Sequence, residues 1–580
     1  MAKDNKKLEV EKLNAEIGRL KKELKKRKKY GLVWEEKPEE LVEMCKEKLP
    51  VLKEVKSKEI KRKPARPVRN EISNGVNLLI EGDNYHALSV LNYTHAKKVD
   101  VIYIDPPYNT GNKDFIFNDR YVDREDAYRH SKWLAFMEKR LRLAKNLLKD
   151  SGVIFISIDD NEMAQLKLLM DNPDLFGENN FVQNFMWLHG KGKKDRWSRT
   201  LQQYILCYAK NKNKLLPWSI LNYANYTFGN PDNDSRGPWF SGSVSFSEQR
   251  SNKQHPNYFE IKSPSGIIWR RQWQRAKDEM NELLKQRKIF FGLSPKYNAV
   301  PRIKIFPDDI DEQIPLNIID DVESTRDAQK TLDKMFGKKI FDYPKPVSLM
   351  KRLIKLFPDK DALILDYMAG TGTTGQAVLE LNKEDGGNRQ FILCTNNRDE
   401  NGGHRICTDV CYPRVKKVID GYKNLKGERV EGLGGNLKYF KTNFVNAEPT
   451  DRNKIKLTQQ ATEMLCVKEG TFEKVLPARR SLGAGGGQKN FKIFKNSNHY
   501  TGIIFDQLAI PKFKEAIRDI KGRFSVYVFS LGDEDFSEEF ADINKKRSEA
   551  KSRTELGSGA WIKLSPIPEA ILRVYRRIFK

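Results

Sequence analysis

Two short stretches of the chain gather residue types that can do chemistry together. The first is Asp105-Pro106-Pro107-Tyr108, which directly follows the apolar run VDVIYI. An exocyclic amine conjugated into an aromatic ring is a poor nucleophile because its lone pair is delocalised. Two acceptors placed on its two hydrogens favour a tetrahedral nitrogen and stabilise the charge that develops as it attacks an electrophile. The Asp105 carboxylate and the Pro106 carbonyl can be those acceptors. Pro106 and Pro107 restrict φ and bias their predecessors to extended geometry, which fixes where the carbonyl points. Tyr108 offers a ring on which a planar base can stack. A rigid strand-end turn could use the same residues, and the second stretch weighs against so plain a role.

That second stretch is LILDYMAGTGTTG, Leu363 to Gly375. An apolar run leads into Asp366, then Gly370-Thr371-Gly372-Thr373-Thr374, then the helix-forming AVLELN. Glycines at a strand-to-helix turn let a ligand approach the backbone, and the helix amino terminus adds a positive dipole. The arrangement suits a nucleoside cofactor bearing a carboxylate, although GxG turns also serve structural ends in many doubly wound folds.

Regular elements must position both stretches. From Val76, short apolar runs (VNLLIEGDN, VDVIYIDPPY, GVIFISIDD) alternate with helical ones, which predicts an α/β fold with a parallel sheet. Ligands bind beyond the carboxyl ends of such strands, where EGDN, with Asp83, and DPPY both fall. Between about 180 and 330 the alternation fails. Aromatic and basic residues interleave there: Trp187, His189, Lys191, Lys193, Lys194, Arg196 and Trp197, later Arg236, Trp239, Trp269, Arg270, Arg271, Trp273 and Arg275. An inserted domain with a basic face is expected, some of its tryptophans being core, because Lys and Arg meet phosphates and guanine edges while rings stack on bases.

The expected organisation is a helical or coiled-coil segment and linker at 1–60, a first half-core at 61–180 and an insert at 181–330. A second half-core at 331–445 and an α+β domain at 446–580 complete it. Val10, Leu13, Ile17, Leu20 and Leu24 form a short heptad seam suited to a second chain or to this one. KSKEIKRKPARPVRN (56–70) reads as a linker, and SLGAGGGQKNF (481–491) as a flexible loop.

With 580 residues the chain can hold several cores, and its 105 Lys+Arg against 78 Asp+Glu leave a net charge of +27 that suits a polyanionic partner. It lacks both an apolar run of the roughly 18 residues that span a bilayer and a signal peptide's apolar core, so a cytoplasmic protein is expected. Its six scattered cysteines give no disulfide framework. Cys394, His404, Cys407 and Cys411 lack zinc-finger spacing, and no metal is expected.

DPPY together with the D-x-F/M-x-G-x-G-T-T turn resembles the amino-methyltransferases that use S-adenosyl-L-methionine to methylate adenine N6 in DNA. DPPY precedes the cofactor turn and the basic insert lies between them, as in the permuted β group of that family. DPPYNTGNKDFIFND, with GDNYHAL before it and YRHSKWLAFMEKRL and TNNRDENG…YPRVKKVI after it, resembles the modification (Mod) subunits of type III restriction–modification systems. The likeness covers about residues 8 to 445 and, in VYVFSL and PIPEAILRVYRRIF, reaches nearly the carboxyl terminus.

The resemblance implies a Rossmann-like methyltransferase core, with Asp105, Pro106, Pro107 and Tyr108 holding a flipped adenine. Asp366, Met368, Ala369, Gly370, Gly372, Thr373 and Thr374 would line the cofactor pocket, together with Asp105. Lys345 and Pro346 would lie near the cofactor's methionine end and Asp83 near its adenine, and the insert would be the target-recognition domain. Met368 stands where the family commonly has Phe. Asn396-Asn397 ends a strand where an acid ordinarily grips a ribose, which leaves Asn396, Asp399 and Glu400 as the candidates for that place.

The expected activity is methylation of adenine N6 in double-stranded DNA, by a homodimer working with a separate helicase–nuclease restriction subunit. This chain has no G-x-x-x-x-G-K-[ST] of its own. Other readings keep the fold and change the acceptor, to cytosine N4, an RNA base or a glutamine amide, or make the protein an orphan methyltransferase or chiefly a specificity subunit.

Overall fold

The apolar runs form strands because they are buried on both faces, and their order in the sheet brings the two chemical stretches together. A computed structural model describes residues 34–61, 75–112, 114–190, 196–218, 227–310, 314–397, 405–424, 426–475, 490–497, 499–544 and 562–579. The heptad seam, Lys191, Lys193, Lys194, Asp399, Glu400, His404, residues 62–70 of the linker and most of the 481–491 glycine segment lie outside these residues. Two compact units result, one spanning residues 217–316 and the other taking in the chain on either side of it.

The larger unit is built on a ten-stranded sheet. Its strands are β1 (Lys48–Glu54), β2 (Leu78–Glu81), β3 (Val99–Ile104), β4 (Leu148–Ile158), β5 (Phe181–Leu188), β6 (Gln202–Ala209), β7 (Ile318–Ile319), β8 (Leu363–Asp366), β9 (Gln390–Thr395) and β10 (Lys438–Asn446). They lie in the order β1-β10-β2-β9-β8-β3-β4-β6-β5-β7. The run from β10 to β4 is parallel throughout, as the alternation of strands and helices predicts. Every residue of β2 and β3 is buried, which explains their continuous apolar texture. Helices α1 (Asn84–Thr94), α2 (Arg129–Leu147), α3 (Val347–Lys355), α4 (Thr373–Asp385) and α5 (Tyr412–Asp420) accompany this sheet.

Three boundaries differ from the sequence expectation. β1 pairs antiparallel with β10, so residues 48–54 belong to the sheet rather than to a separate helical segment and linker; Leu49, Val51 and Leu52 are buried in the common core. β5 and β6 form an antiparallel pair that extends the sheet from β4, so the insert's compact unit begins at Pro217 rather than near 181. Gln183, Asn184, Gln202 and Gln203 interrupt the apolar texture there, yet Phe185 and Trp187 are buried.

The third difference is at the carboxyl terminus. Five strands from Glu473–Val475 to Ile562–Ile567 pair in sequence order, and the last three are mutually parallel, with helix Ile510–Ile517 between the first two of them. Ile571 and Tyr575 of the closing helix Glu569–Ile578 enter the same core as Val51 and Leu88, because apolar residues fill one of its faces.

The smaller unit packs Val244, Ile261, Trp273, Met280, Ile289 and Phe291 around a three-stranded sheet and a hairpin. Trp239 and Trp273 are therefore core, whereas Arg236, Arg270 and Arg275 are exposed and pair with Asp234, Glu260 and Glu279.

Candidate active site

Since β2, β9, β8 and β3 are parallel neighbours, the residues just beyond their carboxyl ends share one edge of the sheet. Asp83, Asn396, Asp366 and Asp105 stand there, from the two half-cores on either side of the insert. They line one cavity of ≈ 480 Å³, within the range of small-molecule pockets. Pro106, Pro107, Lys345, Met368, Ala369, Gly370, Thr373 and Thr374 line it too. Of the remaining candidates, Tyr108 touches Asp105, Pro346 caps the amino end of α3, and Gly372 underlies the glycine turn.

The DPPY turn is held from several sides. Trp133 Nε1 of α2 donates to the Pro107 carbonyl at 2.7 Å. Among the described residues no donor is paired with the Pro106 carbonyl. Tyr108 donates its hydroxyl to Asp105 Oδ1 at 3.0 Å, with Gln203 Oε1 of β6 at 3.3 Å. Lys345 Nζ lies 2.8 Å from each Asp105 oxygen and 5.0 Å from the centroid of the Tyr108 ring.

The glycine turn is equally fixed. Gly370 and Gly372 have φ of 47° and 78°, the left-handed region that favours glycine. A Cβ on Gly372 would stand 2.9 Å from Cys411 Sγ, so the close approach of α5 also requires glycine. Thr374 donates to Asp366 Oδ2 at 2.6 Å and the Met368 amide to Oδ1 at 3.1 Å. Burial nonetheless raises Asp366 to about 7, the nearby Asp105 adding to the shift.

Several residues that shape the cavity are not evident from motif reading. Arg140 of α2 is fully buried and donates to both Glu39 oxygens, 2.9 and 2.6 Å away; Asp83 lies 3.6 Å from the same guanidinium. Arg414 of α5 donates to Thr371 and Thr373 at 2.7 and 2.8 Å, bracing the glycine turn from behind. The visible signal was an arginine set among the apolar positions of a helix, in EKRLRLAKNLL and YPRVKKVI, since such a charge is buried only when paired. Asn397 is committed elsewhere, donating to Glu81 at 2.7 Å. Cys394, Cys407 and Cys411 are buried, and among the described residues no His/Cys/Asp/Glu group could hold a metal ion.

The Asp105 carboxylate and the Pro106 carbonyl at one strand end thus stand beside the Asp366–Thr374 glycine turn at the next. A family model for DNA methylases matches residues 99–400, just over half of the chain. The chain belongs to that family. It is 36% identical over 381 residues to the Mod subunit of the type III restriction–modification enzyme StyLTI of Salmonella typhimurium, covering 60% of this chain and 58% of that one. Against the EcoPI Mod subunit of Escherichia phage P1 it is 32% identical over 416 residues, 60% of this chain and 63% of the relative. The type II methyltransferase M.KpnI of Klebsiella pneumoniae is 32% identical over 383 residues, and 89% of its length is covered. The chain thus spans about three fifths of these Mod relatives and most of M.KpnI. No helix among the described residues is long and apolar enough to cross a membrane.

Proposed function

We propose that the protein methylates adenine N6 in double-stranded DNA, with S-adenosyl-L-methionine as donor, and is the modification and recognition subunit of a type III restriction–modification system. The observation that carries the reading is the meeting of the Asp105 turn and the Asp366–Thr374 turn at one cavity. The residues present fit the cofactor. Gly370 and Gly372 form a turn that brings a ligand near backbone, Met368 and Ala369 supply apolar surface, and Lys345 supplies a cation for a carboxylate. Asp83, beside the buried Arg140–Glu39 pair, would meet the adenosyl end, and Asn396 the ribose. Bound there, the cofactor offers an electrophilic methyl group on its sulfonium.

The protein's own part is to prepare the amine. The Asp105 carboxylate and the Pro106 carbonyl accept its two hydrogens, pyramidalising the nitrogen and stabilising the charge that forms as it attacks. The face of Tyr108 supports the ring of a base turned out of the duplex. Asp at 105 favours adenine over cytosine, and the Mod relatives favour a separate helicase–nuclease partner, with the amino-terminal heptads serving a homodimer. The smaller unit is the proposed target-recognition domain.

Genomic DNA from cells expressing the protein, sequenced for N6-methyladenine with and without this gene, tests base and recognition motif together. A gene-dependent motif carrying N6-methyladenine supports the reading; modification of cytosine alone, or of nothing, counts against it.

A further inference from the structure

Lys345 is anchored on one functional turn and charged toward the other. Its backbone carbonyl accepts from Thr373 Oγ1 at 3.3 Å, and Thr373 is itself braced by Arg414. Its ammonium reaches the far side, 2.8 Å from both oxygens of Asp105 and 5.0 Å from the Tyr108 ring centroid. The Lys345 side chain is 10% exposed and that of Asp105 28%, so the ammonium is the more screened from water of the two. His189 gives it no negative partner; burial and the charge of Lys345 hold that imidazole below its ordinary pKa.

The ammonium thus occupies the carboxylate and the ring face that the target amine and its base need. A protonated amine on Asp105 and a neutral amine donating to the same oxygens are mutually exclusive occupants. Drawing Lys345 away leaves a poorly solvated cation, which is costly unless another anion receives it. We propose that Lys345 is a gate on the Asp105 clamp, released when its ammonium transfers to the amino-acid carboxylate of the methyl donor, so that the base is accepted after the donor. This rests on the reading of the cavity as an S-adenosyl-L-methionine site. The exchange breaks one ion pair and forms another, and no proton or covalent bond changes hands.

A gate of this kind makes Asp105 a competitor of the cofactor carboxylate for one cation. Replacing the catalytic carboxylate should then strengthen cofactor binding. Isothermal titration of wild type, Asp105→Asn, Asp105→Ala and Lys345→Met with S-adenosylhomocysteine and with 5′-methylthioadenosine, which lacks the amino-acid carboxylate, reads this directly. S-adenosylhomocysteine should bind both Asp105 variants about 3- to 30-fold more tightly than wild type, while 5′-methylthioadenosine should bind all four proteins alike. Lys345→Met should lose most of the preference for S-adenosylhomocysteine. Equal or weaker binding of S-adenosylhomocysteine to Asp105 variants whose melting matches wild type would overturn the gate. Failure of wild type to bind either ligand would instead remove the cofactor reading beneath it, and the gate with it.

Discussion

The indole N–H of Trp133 donates to the carbonyl of Pro107 at 2.7 Å, from a fully buried position on α2. It fixes the second proline of the turn from behind, while no described donor occupies the preceding carbonyl. Trp133→Phe keeps the ring but removes the donor. It should cost about 1 kcal/mol of stability, the net worth of a hydrogen bond to a part-buried carbonyl. Methyl transfer should slow while affinity for S-adenosylhomocysteine stays unchanged, as urea unfolding and titration would show.

Asp105 carries the transfer step and would meet the DNA only at the amine of the flipped base, so most of the contacts that hold the duplex lie elsewhere. Asp105→Ala should lower methylation by about 100-fold or more while leaving specific DNA binding within a few-fold. Methylation assays and gel-shift titrations on the same preparation check both; loss of binding as well would make the turn chiefly structural.

Gly372 and Gly386 are both left-handed, with φ of 78° and 70°, but a Cβ meets Cys411 Sγ at 2.9 Å in the first and nothing within 4 Å in the second. Alanine at either position costs about 1 kcal/mol for the backbone conformation. Gly372→Ala should be the more destabilising by about a further 1 kcal/mol or more, since α5 must shift. It should also weaken cofactor binding, which Gly386→Ala should not.

Burial raises Asp366 from 3.8 to about 7. The folded protein therefore holds a proton that the unfolded chain releases. The stabilisation from this group is full below about pH 4 and is lost as pH rises through about 7. Asp366→Asn keeps an acceptor for the Met368 amide and cannot titrate. Relative to that variant, wild type should lose unfolding free energy between about pH 4 and about pH 7, as denaturant titrations at each pH would report. A flat difference would contradict the shift.

The sheet was legible because β2, β3 and β9 are buried on both faces and read as unbroken apolar runs between turn signals. DPPY and the glycine turn were legible because their chemistry depends on local spacing. β5 and β6 were hidden because Gln183, Asn184, Gln202 and Gln203 interrupt their apolar texture and a basic stretch separates them, and β1 because its strand partner, β10, lies nearly 400 residues away. The Arg140–Glu39 and Arg414–Thr373 contacts depend on tertiary proximity that no motif encodes. The Lys345–Asp105 pair joins residues 240 positions apart. Nothing local in the YPKP segment shows that the Lys345 ammonium lies on the Asp105 carboxylate.

The central claim is that the amine accepted by Asp105 and Pro106 is the N6 of adenine. Incubating the protein with S-adenosyl-L-methionine labelled in its methyl group and with duplex DNA, then digesting to nucleosides for mass spectrometry, tests this most directly. Label should appear on N6 of deoxyadenosine and fall to background with Asp105→Ala. Label on deoxycytidine, or on no nucleoside of any DNA, would contradict it.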